Sequence, residues 1–201
     1  MALLLAPALP AWGQSPSPSE RHAELSPLAE MSVERLPAVE VPAETQGPGS
    51  PAITPYRYGI VVEASYSPSS HGAWEAVGTT RVWRFRLHAA EARSLSLTFS
   101  SVTLPPSARL YVRDPDGHLV HGPYTHDDPR NGRHRTPLVR GNEIIVELEV
   151  AASERERVHL TIDEVVHGYR GILPRLRGEA ASKDGACNVD VVCPEGDPWF
   201  P

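Results

Sequence analysis

The chain has 201 residues with a formal net charge of -6 and an apolar fraction of 40%, enough for one core of ordinary domain size with tails beside it. Its 21 prolines, well above an average usage of about 5%, exclude long helices over most of its length, and no apolar run reaches the ~18 to 20 residues of a membrane span. No basic block is present, which removes nucleic acid and anionic membrane surfaces as partners.

The opening stretch, "MALLLAPALPAWGQ", carries no charged side chain and contains the small-x-small pattern Ala11-Trp12-Gly13 that suits signal peptidase. Residues 1–13 read as the back half of a secretory signal peptide without its usual cationic start, as a misplaced start codon would leave it. A secreted or periplasmic protein is expected. Residues 14–55 are dominated by Pro, Ser, Ala and Glu and are almost without aromatics, with six acids against two arginines from Ser15 on. Such a stretch buries too little apolar surface to offset its ordering entropy and is expected to be a disordered, extended arm. Within it, "SPLAEMSVERLP" offers a turn or two of helix, with Ser26 as N-cap and Pro27 at the first helical position.

From residue 56 to 172 the texture changes to short alternating runs separated by Gly, Pro, Asp and Asn, which predicts an all-β fold, an antiparallel, jelly-roll-like β-sandwich. "RYGIVVE" begins it. In "RVWRFRL", Trp83, Phe85 and Leu87 share one face and Arg84 and Arg86 the other, because side chains alternate along a strand. Leu95, Leu97 and Phe99 repeat that pattern. "ARLYVRDPDGHLV" predicts a hairpin around Asp114 to Gly117. Ile144, Val146 and Leu148, then Val158, Leu160 and Ile162, are expected on an inner face. Acids and bases over 57–172 number fourteen each, so the arginines are expected on a balanced, solvated surface.

No Gly-x-Ser-x-Gly elbow, Gly-Asp-Ser-Gly run or His-Cys pair supplies a catalytic serine and its base, and no catalytic residue is assigned. The densest polar cluster holds His118, His121, His126, Asp127, Asp128 and His134. Its spacing matches no metal-ligand scheme, and the Gly122-Pro123 and Asp128-Pro129 pairs mark turns, so a solvated loop is expected, with no metal and no cofactor. Asp114-x-Asp116-Gly117 fails as a calcium loop because Gly sits at the fourth place and Thr125 at the twelfth. Trp74, Trp83, Tyr56, Tyr66 and Tyr124 read either as core and edge filler or as a stacking surface for sugars, with Trp83 inside by its alternation.

Leu173 to Ser182, "LPRLRGEAAS", is an exposed linker of the kind where proteolysis concentrates, and it holds Arg177. The linker runs to Lys183, the single lysine among 19 basic residues. Cys187 and Cys193 follow. They can pair with each other in a tight loop or seek partners elsewhere.

"CNVDVVCPEGD", Cys187 to Asp197, resembles the opening of the mature catalytic domain of secreted bacterial lysyl endopeptidases, which are trypsin-like serine proteases. "VWRFRL", "LTFSSVTLPPSARLYVRDPDG", "VRGNEIIVELEV" and "VVHGYRG" resemble the β-rich pro-region of such enzymes. The resemblance implies that Cys187 and Cys193 form disulfides with cysteines further along a catalytic domain. It also implies that residues 184–201 begin that domain, and that the triad lies beyond "GDPWFP". It makes Lys183-Asp184 a self-cleavage site for a protease that cuts after lysine, with Arg177 the rival site. The expected protein is therefore a truncated protease precursor whose monomeric pro-region aids folding and holds the enzyme latent, with its cognate catalytic domain as partner. A free-standing secreted module that binds carbohydrate or a surface is the alternative.

Overall fold

The computed structural model describes residues 15–41 and 57–171. Their elements are a single helical turn α1 (Pro18–Arg21) and the strands β1 (Val33–Arg35), β2 (Gly59–Tyr66), β3 (Ala73–Val77), β4 (Thr80–His88), β5 (Ser94–Thr103), β6 (Arg109–Arg113), β7 (Val120–Tyr124), β8 (His134–Arg135), β9 (Val139–Arg140), β10 (Glu143–Ala151) and β11 (His159–Gly168). Two 3₁₀ turns, Leu28–Glu30 and Ala152–Arg157, complete the set. Among the described residues no helix is long and apolar enough to cross a membrane.

The strands form an all-β sandwich. Sheet A has six strands in the order β1-β4-β10-β6-β7, with β3 also on β4, and sheet B has five in the order β2-β11-β5-β8, with β9 also on β5. All pairings are antiparallel except β1 with β4.

Register turns the alternation read from sequence into a core. On β10 and β4, Leu148 lies opposite Trp83, Val146 opposite Phe85 and Ile144 opposite Leu87, and β6 extends these rows with Leu110 and Val112. Sheet B answers with Leu97 beside Val165 and Phe99 beside Ile162. All of these are buried in one apolar cluster between the sheets, with Trp83 and Phe85 stacked at 5.8 Å. Fully burying such side chains stabilises by about 1.5–3 kcal/mol each. Val158, Leu160 and Ile162 face inward as expected, and a bulge between Ile162 and Glu164 then resets the alternation so that Val165, not Glu164, turns in. The hairpin also forms, β6 pairing β7 across the turn in which the Gly117 amide donates to the Asp114 carbonyl at 3.3 Å. At Gly72, φ is +72°, and a Cβ would stand 2.5 Å from the Arg84 carbonyl oxygen, so the chain approaches β4 more closely there than a side chain permits.

Residues 15–41 depart from the disordered arm expected over 14–55. They run across the outer face of sheet A, with β1 adding to the edge of β4 and the Leu36 amide donating to the His88 carbonyl at 2.9 Å. Their poverty in apolar residues, sound as an argument against a separate core, does not count against contacts with a sheet already formed. The helix expected at Ser26-Pro27 reduces to the 3₁₀ turn Leu28–Glu30 with Pro27 before it, and the α-helical turn lies earlier, where the Ser17 amide donates to Glu20 Oε2 at 2.6 Å. The leader at 1–13, the remainder of the arm at 42–55, the linker 173–183 and the segment 184–201 lie outside the described residues.

Candidate functional site

The outer face of sheet A is a charged layer with a lid of chain over it. Because β4 and β10 alternate, turning Trp83, Phe85 and Leu87 inward turns Arg84 and Arg86 outward, and Ile145, Glu147 and Glu149 go with them. Register sets Glu147 directly opposite Arg84, a favourable cross-strand charge pair. Neither side chain reaches solvent: Arg84 is 1% exposed and Glu147 0%, and Arg113 is buried beside them. This corrects the expectation of a solvated surface for these residues.

Ser19 of α1 sits over the two strands, between the Arg84 and Glu147 side chains. Its amide donates to Glu147 Oε2 at 3.1 Å and its hydroxyl to Glu147 Oε1, while the same hydroxyl accepts from the Arg84 guanidinium at 3.2 Å. Arg84 also donates to the Ser26 carbonyl at 2.7 Å and, through Nε, to Glu75 Oε1 of β3 at 2.8 Å. The other Glu75 oxygen accepts from the Ser26 amide at 2.8 Å, and Arg113 Nε lies 3.7 Å from Glu147. Toward the ends of the layer, Arg86 joins Glu143 at 2.7 Å and the Leu28 carbonyl at 2.9 Å, and Arg21 pairs with Glu149, which His22 approaches at 3.5 Å.

The carboxylates respond to these partners. Burial pushes Glu75 up, but the Ser26 amide and the Arg84 guanidinium outweigh it and leave the carboxyl below its ordinary value. Glu149 is likewise pushed up by burial and drawn below the usual range by its hydrogen bond and charge interaction with Arg21, with His22 adding to both. The hydrogen bond to Glu149 raises Arg21, against the opposing effect of burial.

A cleft of about 400 Å³ opens at one end of the sandwich beside Trp74. The Trp74 indole N–H donates to the Pro68 carbonyl at 3.0 Å, and the Arg155 guanidinium sits 5.0 Å from the ring centroid, within cation–π range. Ser67, Ser69, Ser101 and Thr161 line it together with Glu156, His159 and the apolar Val158 and Leu160. Ser70 lies 2.8 Å from His71 Nδ1, but among the described residues no carboxylate hydrogen-bonds that imidazole, so no triad forms.

The histidine-rich stretch disperses. His118 is in the β6–β7 turn and His121 on β7, while His126 pairs with exposed Asp127 at 3.3 Å and Asp128 accepts from the Thr125 amide at 2.6 Å. His134 packs against Tyr124 at 4.1 Å, and burial lowers its pKa against the pull of Asp128. Among the described residues no three of His, Cys, Asp or Glu converge on a point where a metal could sit. A groove of about 490 Å³ beside His134 is lined by Arg130, Arg133 and Arg135, and Asp163 and Glu164 balance the last two at 3.3 Å each. Of the aromatics, Trp83 is fully buried, Tyr66, Trp74 and Tyr124 pack against the core, and Tyr56 lies outside the described residues. Arg177, Lys183, Asp184, Cys187 and Cys193 also lie outside them.

The charged layer was missed from sequence. Its signal was present as two alternations of opposite sign, Arg84 and Arg86 in one run and Glu147 and Glu149 in another. Only the pairing of β4 with β10 makes them neighbours.

No protein-family model matches the chain. Among solved structures, the chain is similar to the crystal structure of Aeromonas hydrophila PliG, a periplasmic lysozyme inhibitor of g-type lysozyme, at 10% identity over 67% of this chain and 94% of that one, with a TM-score of 0.24. So loose a superposition carries nothing about partners or activity.

Proposed function

We propose that this chain is the non-catalytic pro-region of a secreted or periplasmic serine endopeptidase precursor of the lysyl endopeptidase kind, with the first residues of the catalytic domain at 184–201. The carrying observation is the position of the single lysine. Lys183 stands between the last strand of the sandwich, which ends at Gly168, and the undecamer Cys187 to Asp197 that resembles a mature protease terminus. A cut at Lys183-Asp184, or at Arg177, falls after Gly168 and leaves every described strand on one fragment. The sandwich works as a monomer that folds first and docks on the catalytic domain, lowering the barrier to slow, non-local β-barrel pairing and holding the enzyme latent. Cleavage then makes that docking intermolecular and weakens it through loss of effective concentration. No residue is assigned a catalytic, metal or cofactor role.

The coding sequence downstream of Pro201, translated in all frames, is expected to encode a trypsin-like domain with its His, Asp and Ser. That domain, denatured and refolded with this chain, is expected to regain activity on the order of tenfold faster than alone. Unrelated downstream sequence, or refolding indifferent to the chain, refutes the reading.

The cleft beside Trp74 favours a second reading, a free-standing secreted carbohydrate- or surface-binding module, since Arg155, Glu156 and the hydroxyl-bearing Ser67, Ser69, Ser101 and Thr161 give it the polar lining that hydroxyl-rich ligands require. Retention on a polysaccharide column, lost in Trp74→Ala, supports it, and passage of the parent chain unretained through a panel of neutral and acidic polysaccharides ends it.

A further inference from the structure

Residues 15–41 are held differently from the rest of the molecule. Their backbone joins sheet A through three register pairs of one parallel strand, Val33 to Arg35, and through the Leu36 amide. Their apolar contribution is small: Leu36 reaches the main core and half-buried Val39 packs against it, while Leu25 belongs to a separate cluster with Val77 and Val82 alone. What remains is polar. Ser19, Arg21, Ser26 and the Leu28 carbonyl attach to Glu147, Glu149, Glu75, Arg84 and Arg86. Local opening free energies are lowest where apolar contacts are few, so this segment is a unit that can separate before the sheets do.

We propose that residues 15–41 form a detachable strap, latched to the outer face of sheet A by a charged network and released from it by acid while the two sheets stay closed. The groups that meet at this interface come from every element packed there. The strap brings Glu20, Arg21, His22, Glu30, Glu34 and Arg35, β3 brings Glu75, and β4 brings Arg84, Arg86 and His88, the last in register with Arg35 and Glu143. The β6 strand adds Arg109, Tyr111 and Arg113, β10 adds Glu143, Glu147 and Glu149, and Tyr66 lies near Glu34. On the sheet side the cations that meet the carboxylates are arginines, which stay charged, with His88 at the end of β4 the one imidazole, and every anion is a carboxylate, which acid neutralises. Protonation therefore leaves Arg84, Arg86 and Arg113 on the sheet and Arg21 on the strap without their counter-charges. Buried charge without a partner is strongly unfavourable, and moving the strap aside readmits water. The interior layer is apolar apart from His167, buried opposite Leu95 with its Nε2 2.9 Å from the Ala90 carbonyl, and the apolar cluster holds no such pairs.

The sign follows from Glu75 and Glu149, both held below their ordinary value of 4.5 in the folded state. Their contribution to latching is complete above that value and is lost as pH falls through the lower, folded pKa values. The strap would behave in this way under either function proposed above.

Amide NMR of the full chain tests this directly, because the Ser19 amide reports on Glu147, the Ser26 amide on Glu75, and the Trp83 indole N–H, bonded to the His71 carbonyl at 2.8 Å, on the sandwich. On titration from pH 7 to about pH 3, the Ser19, Ser26 and Leu36 amides are expected to move to unfolded positions while the Trp83 indole stays native. Strap signals that remain native throughout, or that vanish together with Trp83 in one transition, overturn the proposal. Glu149→Gln is expected to raise the open population at pH 7 by roughly three- to tenfold and to move release to higher pH. Should that variant fold poorly, Arg21→Gln removes the same pair from its exposed side. An unchanged open population in a folded variant also overturns the proposal.

Discussion

β4 and β10 each belong to two layers at once, and the layers are held by different physics. On their inner face Trp83, Phe85 and Leu87 meet Ile144, Val146 and Leu148 in an apolar interior shared with sheet B. On their outer face, one residue out of phase, Arg84 and Arg86 meet Glu147 and Ile145 beneath the strap. Dispersion and the hydrophobic effect are indifferent to proton activity, whereas an ion-paired layer is conditional on pH and salt. A single pair of strands can therefore carry an unconditional core on one side and a conditional attachment on the other.

The largest way to break the comparison is Phe85→Ala, which leaves a cavity at the centre of the inner layer. It is expected to destabilise the whole sandwich by about 3–5 kcal/mol in urea unfolding, with strap and sheets lost together. Arg84→Ala attacks the outer layer at its most buried cation, leaving Glu75 without its guanidinium partner and the Ser19 hydroxyl without its donor. A loss of about 3 kcal/mol is expected, appearing first as exchange of strap amides, and an effect confined to global unfolding would contradict the division into layers. Ser19→Ala removes only the hydroxyl that links Arg84 to Glu147 and is expected to weaken the strap by about 1 kcal/mol, with the urea midpoint of the Trp83 environment unchanged. Raising the salt concentration sharpens the contrast at the smallest scale. Arg21 and Glu149 are partly exposed, at 32% and 16%, so screening should loosen that end of the strap while the buried Arg84 network persists.

Much of the inner layer was legible from sequence. Period-2 patterning in "RVWRFRL", "SLSLTFS" and "EIIVELEV" placed its residues correctly because a strand with one buried face writes that face into its composition. The Asp114 to Gly117 turn was legible for the same local reason. Residues 15–41 were not. Their order comes from hydrogen bonds to Arg84, Glu147 and Glu75, more than fifty residues away in most cases, and composition reports only whether a segment can bury its own surface. The histidine-rich stretch misleads in the opposite way, since closeness in sequence suggested a cluster that β6, β7 and β8 draw apart.

By itself the sequence determined the fold class, the inward residues of the main strands and the turn that joins β6 to β7, all consequences of side-chain alternation and local backbone preference. It also placed the single lysine and both cysteines in one terminal stretch. Tertiary structure alone decided that Arg84 faces Glu147, that Ser19 sits between them and that an acidic, proline-rich arm lies on a sheet. Charge pairs of this kind are non-local. Either partner alone reads as an ordinary exposed residue, and only strand register removes the water between them.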